Sequence, residues 1–263
     1  MAPAWPRRPR FVAGNWKMNR LPAEGAALAR EIVALRAADP AGGGSAVAVF
    51  PPFTAIAAVG EALRGSDVRL GAQDMHWETH GAFTGAVSGP MLAALGCRFV
   101  VLGHSERRHG MGETDEQVAK KLRAALRDGL TPIVCVGELL AEREADRMAE
   151  VLVRQVSAAY AGLDAPTARS TVVAYEPVWA IGTGKVATPE QARDAHRVIR
   201  ATLDRVVAPG VGGDVAILYG GSVNAGNAAT LFAEDDLDGA LVGGAALEPA
   251  GFWKIVAAAS ARP

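Results

Sequence analysis

Cysteine is almost missing from this chain, and the little present forms no pattern. Cys97 and Cys135 lie in separate apolar segments without CxxC spacing, so neither a zinc site nor a disulfide framework is suggested, and a reducing cytoplasm is the simplest compartment. Long apolar runs are missing too. Half of the 263 residues are hydrophobic, yet no stretch approaches the roughly 18 residues that a membrane helix needs. A soluble protein with no membrane partner is expected. Charge of one sign is also absent: 27 Lys and Arg stand against 28 Asp and Glu, net −1, mixed rather than gathered in blocks. That leaves no basic field for a nucleic-acid backbone, and no nucleic-acid partner is expected. Met1 to Arg10 carries arginines and prolines but lacks the apolar core and cleavage site of a signal peptide. Residues 1–10 read as a short disordered leader ahead of a catalytic domain over 11–263.

What is present is a period. Short β-rich apolar runs recur at Phe11–Asn15, Ala46–Phe50, Val68–Ala72, Arg98–Gly103, Pro132–Gly137, Thr171–Tyr175, Val215–Tyr219 and Gly239–Gly243. Their near-continuous apolarity suits strands buried on both faces of a parallel sheet. Between them lie helical spacings: Leu28, Ile32 and Leu35, then Val118, Leu122 and Leu126, then Val151, Val156 and Tyr160. About eight strand-helix units in some 250 residues fit one closed (β/α)8 TIM barrel, an α/β fold of eight parallel strands surrounded by helices. A doubly wound dinucleotide domain is disfavoured, because no GxGxxG comes after the first strand. The glycine patch Gly42–Ser45 is short enough for a helix-to-strand turn.

Catalytic groups in such a barrel project from the carboxyl ends of the strands, so the residues just beyond each run are informative. After the first come Asn15, Lys17 and Asn19; after the fourth, His104, Ser105 and Glu106; after the sixth, Glu176; after the seventh, Gly220, Gly221 and Ser222; after the eighth, Gly243 and Gly244. Each alone has an ordinary surface reading. Together on one rim they supply a base, an electrophile, a cation and an anion cradle, the parts of a proton-abstraction site for a phosphorylated carbonyl compound. Glu176 is succeeded at once by Pro177 and then by Gly182 and Gly184, so the base precedes a hinged loop. The glycine turns leave room for backbone N–H groups to approach a phosphate, with short helices expected just beyond.

The segments Asn15–Asn19, Gly103–Arg108, Ala174–Lys185 and Gly220–Val223 together resemble the triosephosphate isomerase family, over about Phe11 to Val256. The resemblance implies interconversion of dihydroxyacetone phosphate and glyceraldehyde 3-phosphate, with no cofactor and no metal. It also implies roles. Glu176 is the proton-shuttling base, His104 a neutral electrophile and Lys17 a fixed positive charge; Asn15 orients the carbonyl, and Glu106 is the acidic partner of the lysine. Asn15, Lys17, Gly182, Ser222, Gly243 and Gly244 bind the substrate and its phosphate. A lid over 177–187 that encloses the base, and the neutral histidine, are carried over from the family. The segment Asp74–Ser88 resembles the family's interdigitating loop, which implies a homodimer through the loop around Thr84. Two positions depart from the family pattern: Ala86 stands where an acid is usual, which would delete an intersubunit ion pair with an arginine such as Arg107, and Ala246 where serine is usual. An isomerase for a four-carbon ketose phosphate, Schiff-base aldol chemistry through Lys17 or Lys185, and a non-catalytic phosphate-binding barrel remain as alternatives.

Overall fold

The computed structural model describes residues 7–39, 44–182 and 185–261. Eight parallel strands close on themselves in chain order: β1 (Phe11–Asn15), β2 (Ala46–Phe50), β3 (Arg69–Ala72), β4 (Phe99–Leu102), β5 (Thr131–Val136), β6 (Val172–Tyr175), β7 (Ala216–Tyr219) and β8 (Gly239–Val242). They fall within a residue of the apolar runs. Twelve α-helices surround them among the described residues: α1 (Pro22–Ala38), α2 (Ile56–Ala62), α3 (Gly89–Ala94), α4 (Ser105–Gly110), α5 (Asp115–Arg127), α6 (Leu140–Glu144), α7 (Met148–Tyr160), α8 (Ala165–Arg169), α9 (Pro189–Val206), α10 (Val211–Asp214), α11 (Ala228–Phe232) and α12 (Pro249–Ser260).

Local chemistry starts several of these helices. Thr114 caps α5 and Thr188 caps α9, each hydroxyl accepting the N–H three residues on, while Gln117 and Gln191 return the bond. The expected apolar stripes then meet the outer face of the barrel: Leu28 and Ile32 on α1, Val118 and Leu122 on α5, and Val151, Val156 and Tyr160 on α7 are all buried. Full burial of such side chains contributes roughly 1.5–3 kcal/mol each.

A second, separate core fills the barrel interior. Side chains alternate across each strand, and the inward set is Phe11 and Ala13, Ala48 and Phe50, Phe99 and Val101, Ile133 and Cys135, Val172 and Ala174, Ala216 and Leu218, and Leu241. On β3 the inward residue is Gly71, because the Phe50 ring already occupies its place; a Cβ there would lie 2.2 Å from that ring. Phe99 packs against Phe11 in a tilted pair and against Phe50 edge-to-face inside the barrel, with ring centroids 5.0 and 6.5 Å apart. Continuing the same alternation past the strand ends brings Asn15 on β1, Glu176 after β6, Gly220 after β7 and Gly243 after β8 to the inner rim.

The leader divides. Residues 1–6 lie outside the described residues, whereas the Arg8 N–H donates to the Asp214 carbonyl at 3.0 Å, the Arg8 guanidinium to Asp238 at 2.6 Å, and Arg10 to the Leu237 carbonyl at 2.8 Å. Of the glycine turn, Gly42 and Gly43 lie outside the described residues too, and Gly44 and Ser45 lead directly into β2. Both cysteines are free and buried. No helix among the described residues is long and apolar enough to cross a membrane.

Candidate active site

A cavity of 360 Å³ opens at the carboxyl ends of the strands. Asn15, Lys17, His104, Glu176, Gly182, Ser222, Gly243 and Gly244 all line it, although they come from five separate parts of the sequence. Ile181, Leu241 and Ala245 supply apolar wall. Glu106 is the exception. It stands on α4 with an exposed side chain and reaches the site by holding Lys17 Nζ at 2.6 Å, its other oxygen lying 3.7 Å from His104 Nδ1.

Glu176 is fully enclosed. Its Oε2 accepts the Ser105 N–H at 2.7 Å, while His104 Nε2 lies 2.9 Å from Oε1. That approach is poorly aligned, and Oε1 has no hydrogen-bond donor among the described residues. Burial alone would raise the Glu176 pKa, but the facing His104, the Ser105 N–H and Lys17 outweigh it and hold the carboxyl below its ordinary range. In this arrangement the carboxylate is a parked, weakened base.

His104 sits where it does because Gly103 turns the chain at φ 67°, a left-handed conformation natural to glycine. The ring then caps α4, its Nδ1 accepting the Glu106 N–H at 3.2 Å. An accepting Nδ1 carries no proton, so the hydrogen of the neutral ring belongs on Nε2, facing Glu176. Burial works against a charged ring, yet the Glu176 carboxylate prevails and lifts the His104 pKa above its ordinary value. Two influences therefore compete over the ring: the Glu176 carboxylate favours the charged form, while burial and the accepting Nδ1 favour the neutral form that the family resemblance implies.

Lys17 follows β1 and lines the cavity beside Gly243. Its N–H donates to Asn15 Oδ1 at 3.0 Å, which fixes the Asn15 amide with its NH2 left for another acceptor. Beside it, a Cβ added to Gly243 would meet Lys17 Cε at 3.4 Å. Gly243 opens the 3₁₀ turn Gly244–Leu247, as expected of the eighth strand end. The seventh differs: α11 begins only at Ala228, and a turn closed by Asn224 and Asn227 intervenes. Ala246 is wholly buried, and a side chain on Gly14 would meet its methyl at 3.1 Å, so the space there is apolar and tight.

Beyond Glu176, Pro177 leads into the 3₁₀ turn Val178–Ala180, and Trp179 Nε1 donates to Glu138 Oε1 at 2.8 Å. Glu138 also accepts the Tyr175 hydroxyl at 3.0 Å, and burial pushes its carboxyl up. Sequence reading passed over Glu138, although it comes after the fifth strand much as Glu176 comes after the sixth. Thr183 and Gly184 of the expected lid lie outside the described residues. Among the described residues, no group of three His, Cys, Asp or Glu side chains could hold a metal ion.

Comparison with known proteins gives one family. The family model described as Triosephosphate isomerase matches residues 10–259. The triosephosphate isomerase of Moorella thermoacetica is 53% identical over 250 residues, 95% of this chain and 98% of the relative. That of Solibacter usitatus is 50% identical over 250 residues, 95% and 99% of the two chains, and that of Acetivibrio thermocellus 50% identical over 245 residues, 93% and 96%.

Proposed function

We propose a role for each residue of the site from one premise: the chain belongs to the triosephosphate isomerase family, and its reaction is the interconversion of dihydroxyacetone phosphate and glyceraldehyde 3-phosphate. The carrying observation is that Glu176, His104 and Lys17 face one cavity whose rim is the glycine turn Gly243 and Gly244.

A ketose phosphate entering this cavity inserts its carbonyl and hydroxyl oxygens between Glu176 and His104. Separating the pair removes the main neighbour that weakens the base, so the Glu176 pKa rises and that of His104 falls. Glu176 Oε1, which has no aligned donor, takes a proton from the hydroxymethyl carbon. The electrons move into the C–C bond and onto the carbonyl oxygen, giving an enediolate. His104 Nε2–H and Lys17 Nζ stabilise the developing oxygen charge, and the Asn15 NH2 orients the carbonyl. Protonated Glu176 then returns its proton to the adjacent carbon, while the hydroxyl proton of the first carbon passes to the former carbonyl oxygen beside His104 Nε2, so that the first carbon becomes the aldehyde and the second carries a hydroxyl. Ser222, Gly182, Gly243 and Gly244 hold the phosphate at the far end, and Glu106 sets the resting position of Lys17.

An isomerase assay of the wild type beside Glu176→Ala, with phosphoglycolate as a binding control, tests this reading. Loss of turnover with inhibitor affinity retained supports it; a fully active Glu176→Ala removes Glu176 from the chemistry. Parallel assay of a four-carbon ketose phosphate fixes the substrate length.

We place the 11–263 catalytic domain in a homodimer and in the cytoplasm. The two free buried cysteines fit a reducing compartment. For the dimer, the loop around Thr84 is closed at its base by the His76 N–H donating to the Val87 carbonyl at 2.8 Å, while Phe83 remains 43% exposed. Met18 and Met111 are exposed as well, and apolar surface of this kind favours a covered face. Arg107, the expected partner of the missing acid at Ala86, pairs within its own chain with Asp74 at 2.9 Å, so the dimer does without that intersubunit bond.

A further inference from the structure

Lys17 has φ 52°, a left-handed conformation that a side chain with a Cβ rarely adopts and that persists only where its surroundings over-determine it. Two hydrogen bonds clamp it. On the amino side its N–H donates to Asn15 Oδ1; on the carboxyl side its carbonyl accepts from Gln73 Nε2 at 2.8 Å. The same Gln73 nitrogen donates to the Phe50 carbonyl at 2.9 Å, at the end of β2. That carbonyl also accepts the Trp16 N–H at 3.1 Å. Gln73 itself comes one residue after the end of β3. A single amide therefore fastens the peptide after Lys17 to the ends of two neighbouring strands.

We infer that Gln73 is a positioning residue for the Lys17 ammonium group. It does not line the cavity; it holds the strained peptide in the orientation that lays the lysine stem beside Gly243, where Cε lies 3.4 Å and Nζ 3.7 Å from the site of a glycine Cβ. Without the clamp, the Lys17 backbone relaxes toward negative φ, and its side chain leaves the wall that faces the substrate oxygens. A side chain at 73 has to donate two hydrogens to two carbonyls at once, which a primary amide does and a thioether or a carboxylate does not. The inference rests on the reading of Lys17 as the charge facing the enediolate.

The test is a double-mutant cycle of Gln73→Met and Lys17→Ala, with kcat and KM measured in both directions beside phosphoglycolate affinity and thermal midpoint. Misplacement by about an ångström costs up to about 10²-fold, so Gln73→Met is expected to lose about ten- to a hundredfold in kcat/KM. The double variant should be no slower than Lys17→Ala alone. Losses that multiply would mean that Gln73 acts through some other part of the fold, and would overturn the proposal; so would wild-type kcat/KM in Gln73→Met. If Gln73→Met does not fold, Gln73→Asn, whose shorter amide cannot span both carbonyls, is held to the same two criteria. Full activity in Lys17→Ala by itself would remove the premise, an outcome distinct from multiplying losses.

Discussion

Alanine at position 220 presses on the Glu176 carboxylate, the proposed base. The added Cβ would stand 2.9 Å from Glu176 Cγ and 3.1 Å from the Tyr175 carbonyl oxygen, the first about half an ångström or more inside ordinary carbon–carbon contact. Gly220 cannot easily retreat, because its N–H donates to that same Tyr175 carbonyl at 2.7 Å. The Glu176 side chain must give way. Its Oε2 is tied to Ser105, so yielding at Cγ moves the carboxylate off its seat by a comparable half ångström. Overpacking of this kind costs about 1–3 kcal/mol in a well-packed site. Misplacement of a catalytic group by about an ångström reaches about 10²-fold in rate, so half that distance points to about a tenfold loss, or about 1.4 kcal/mol in the barrier. The expected result for Gly220→Ala is a kcat about ten- to a hundredfold lower in a coupled isomerase assay, with phosphoglycolate affinity changed far less. A variant with wild-type kcat would refute the reasoning, since the carboxylate would then not be seated by the backbone at 220.

The pairing of Glu176 with His104 makes the ligand-free protein pH-dependent. A depressed Glu176 pKa stabilises above the unfolded carboxylate value and is lost as pH falls through the folded one; a raised His104 pKa stabilises below the unfolded imidazole value and is lost as pH rises through the folded one. The difference in thermal midpoint between wild type and His104→Gln should therefore be largest between about pH 4.5 and 6.5 and shrink on either side; a difference independent of pH would dismiss the pair. His196 acts in the opposite sense. Full burial lowers its pKa to about 3, although its Nδ1 lies 2.9 Å from the Asp236 carbonyl oxygen, a contact that favours the charged ring. The unfolded chain binds the extra proton between about pH 6.5 and 3, so acidification from pH 7 to 4.5 should remove on the order of 2–3 kcal/mol of stability through this residue. Urea titrations of wild type and His196→Asn at both values measure it, and equal acid losses in the two would count against the assignment. Sedimentation at falling concentration tests the dimer: a species that is monomeric at micromolar concentration would rule out the loop around Thr84 as a stable contact.

Alternation and spacing in the sequence were enough for the barrel, because a strand buried on both faces has to be a short, nearly continuous apolar run, and eight of these with amphipathic helices between them leave few ways to close. The strand ends were legible for the same reason: polar residues such as Asn15, His104 and Glu176 interrupt apolar runs at one recurring place, and a parallel barrel gathers those places on one rim. What the sequence did not carry was the state of the groups once gathered. Whether Glu176 is a strong or a parked base depends on His104 and the Ser105 N–H, some seventy residues away along the chain. Whether Arg107 looks for a partner across an interface depends on Asp74, and the seat of Lys17 depends on Gln73. Side-chain pattern is local and survives in one dimension; electrostatic neighbours and hydrogen-bond partners are set by distance in space, and only folding brings those distances into being.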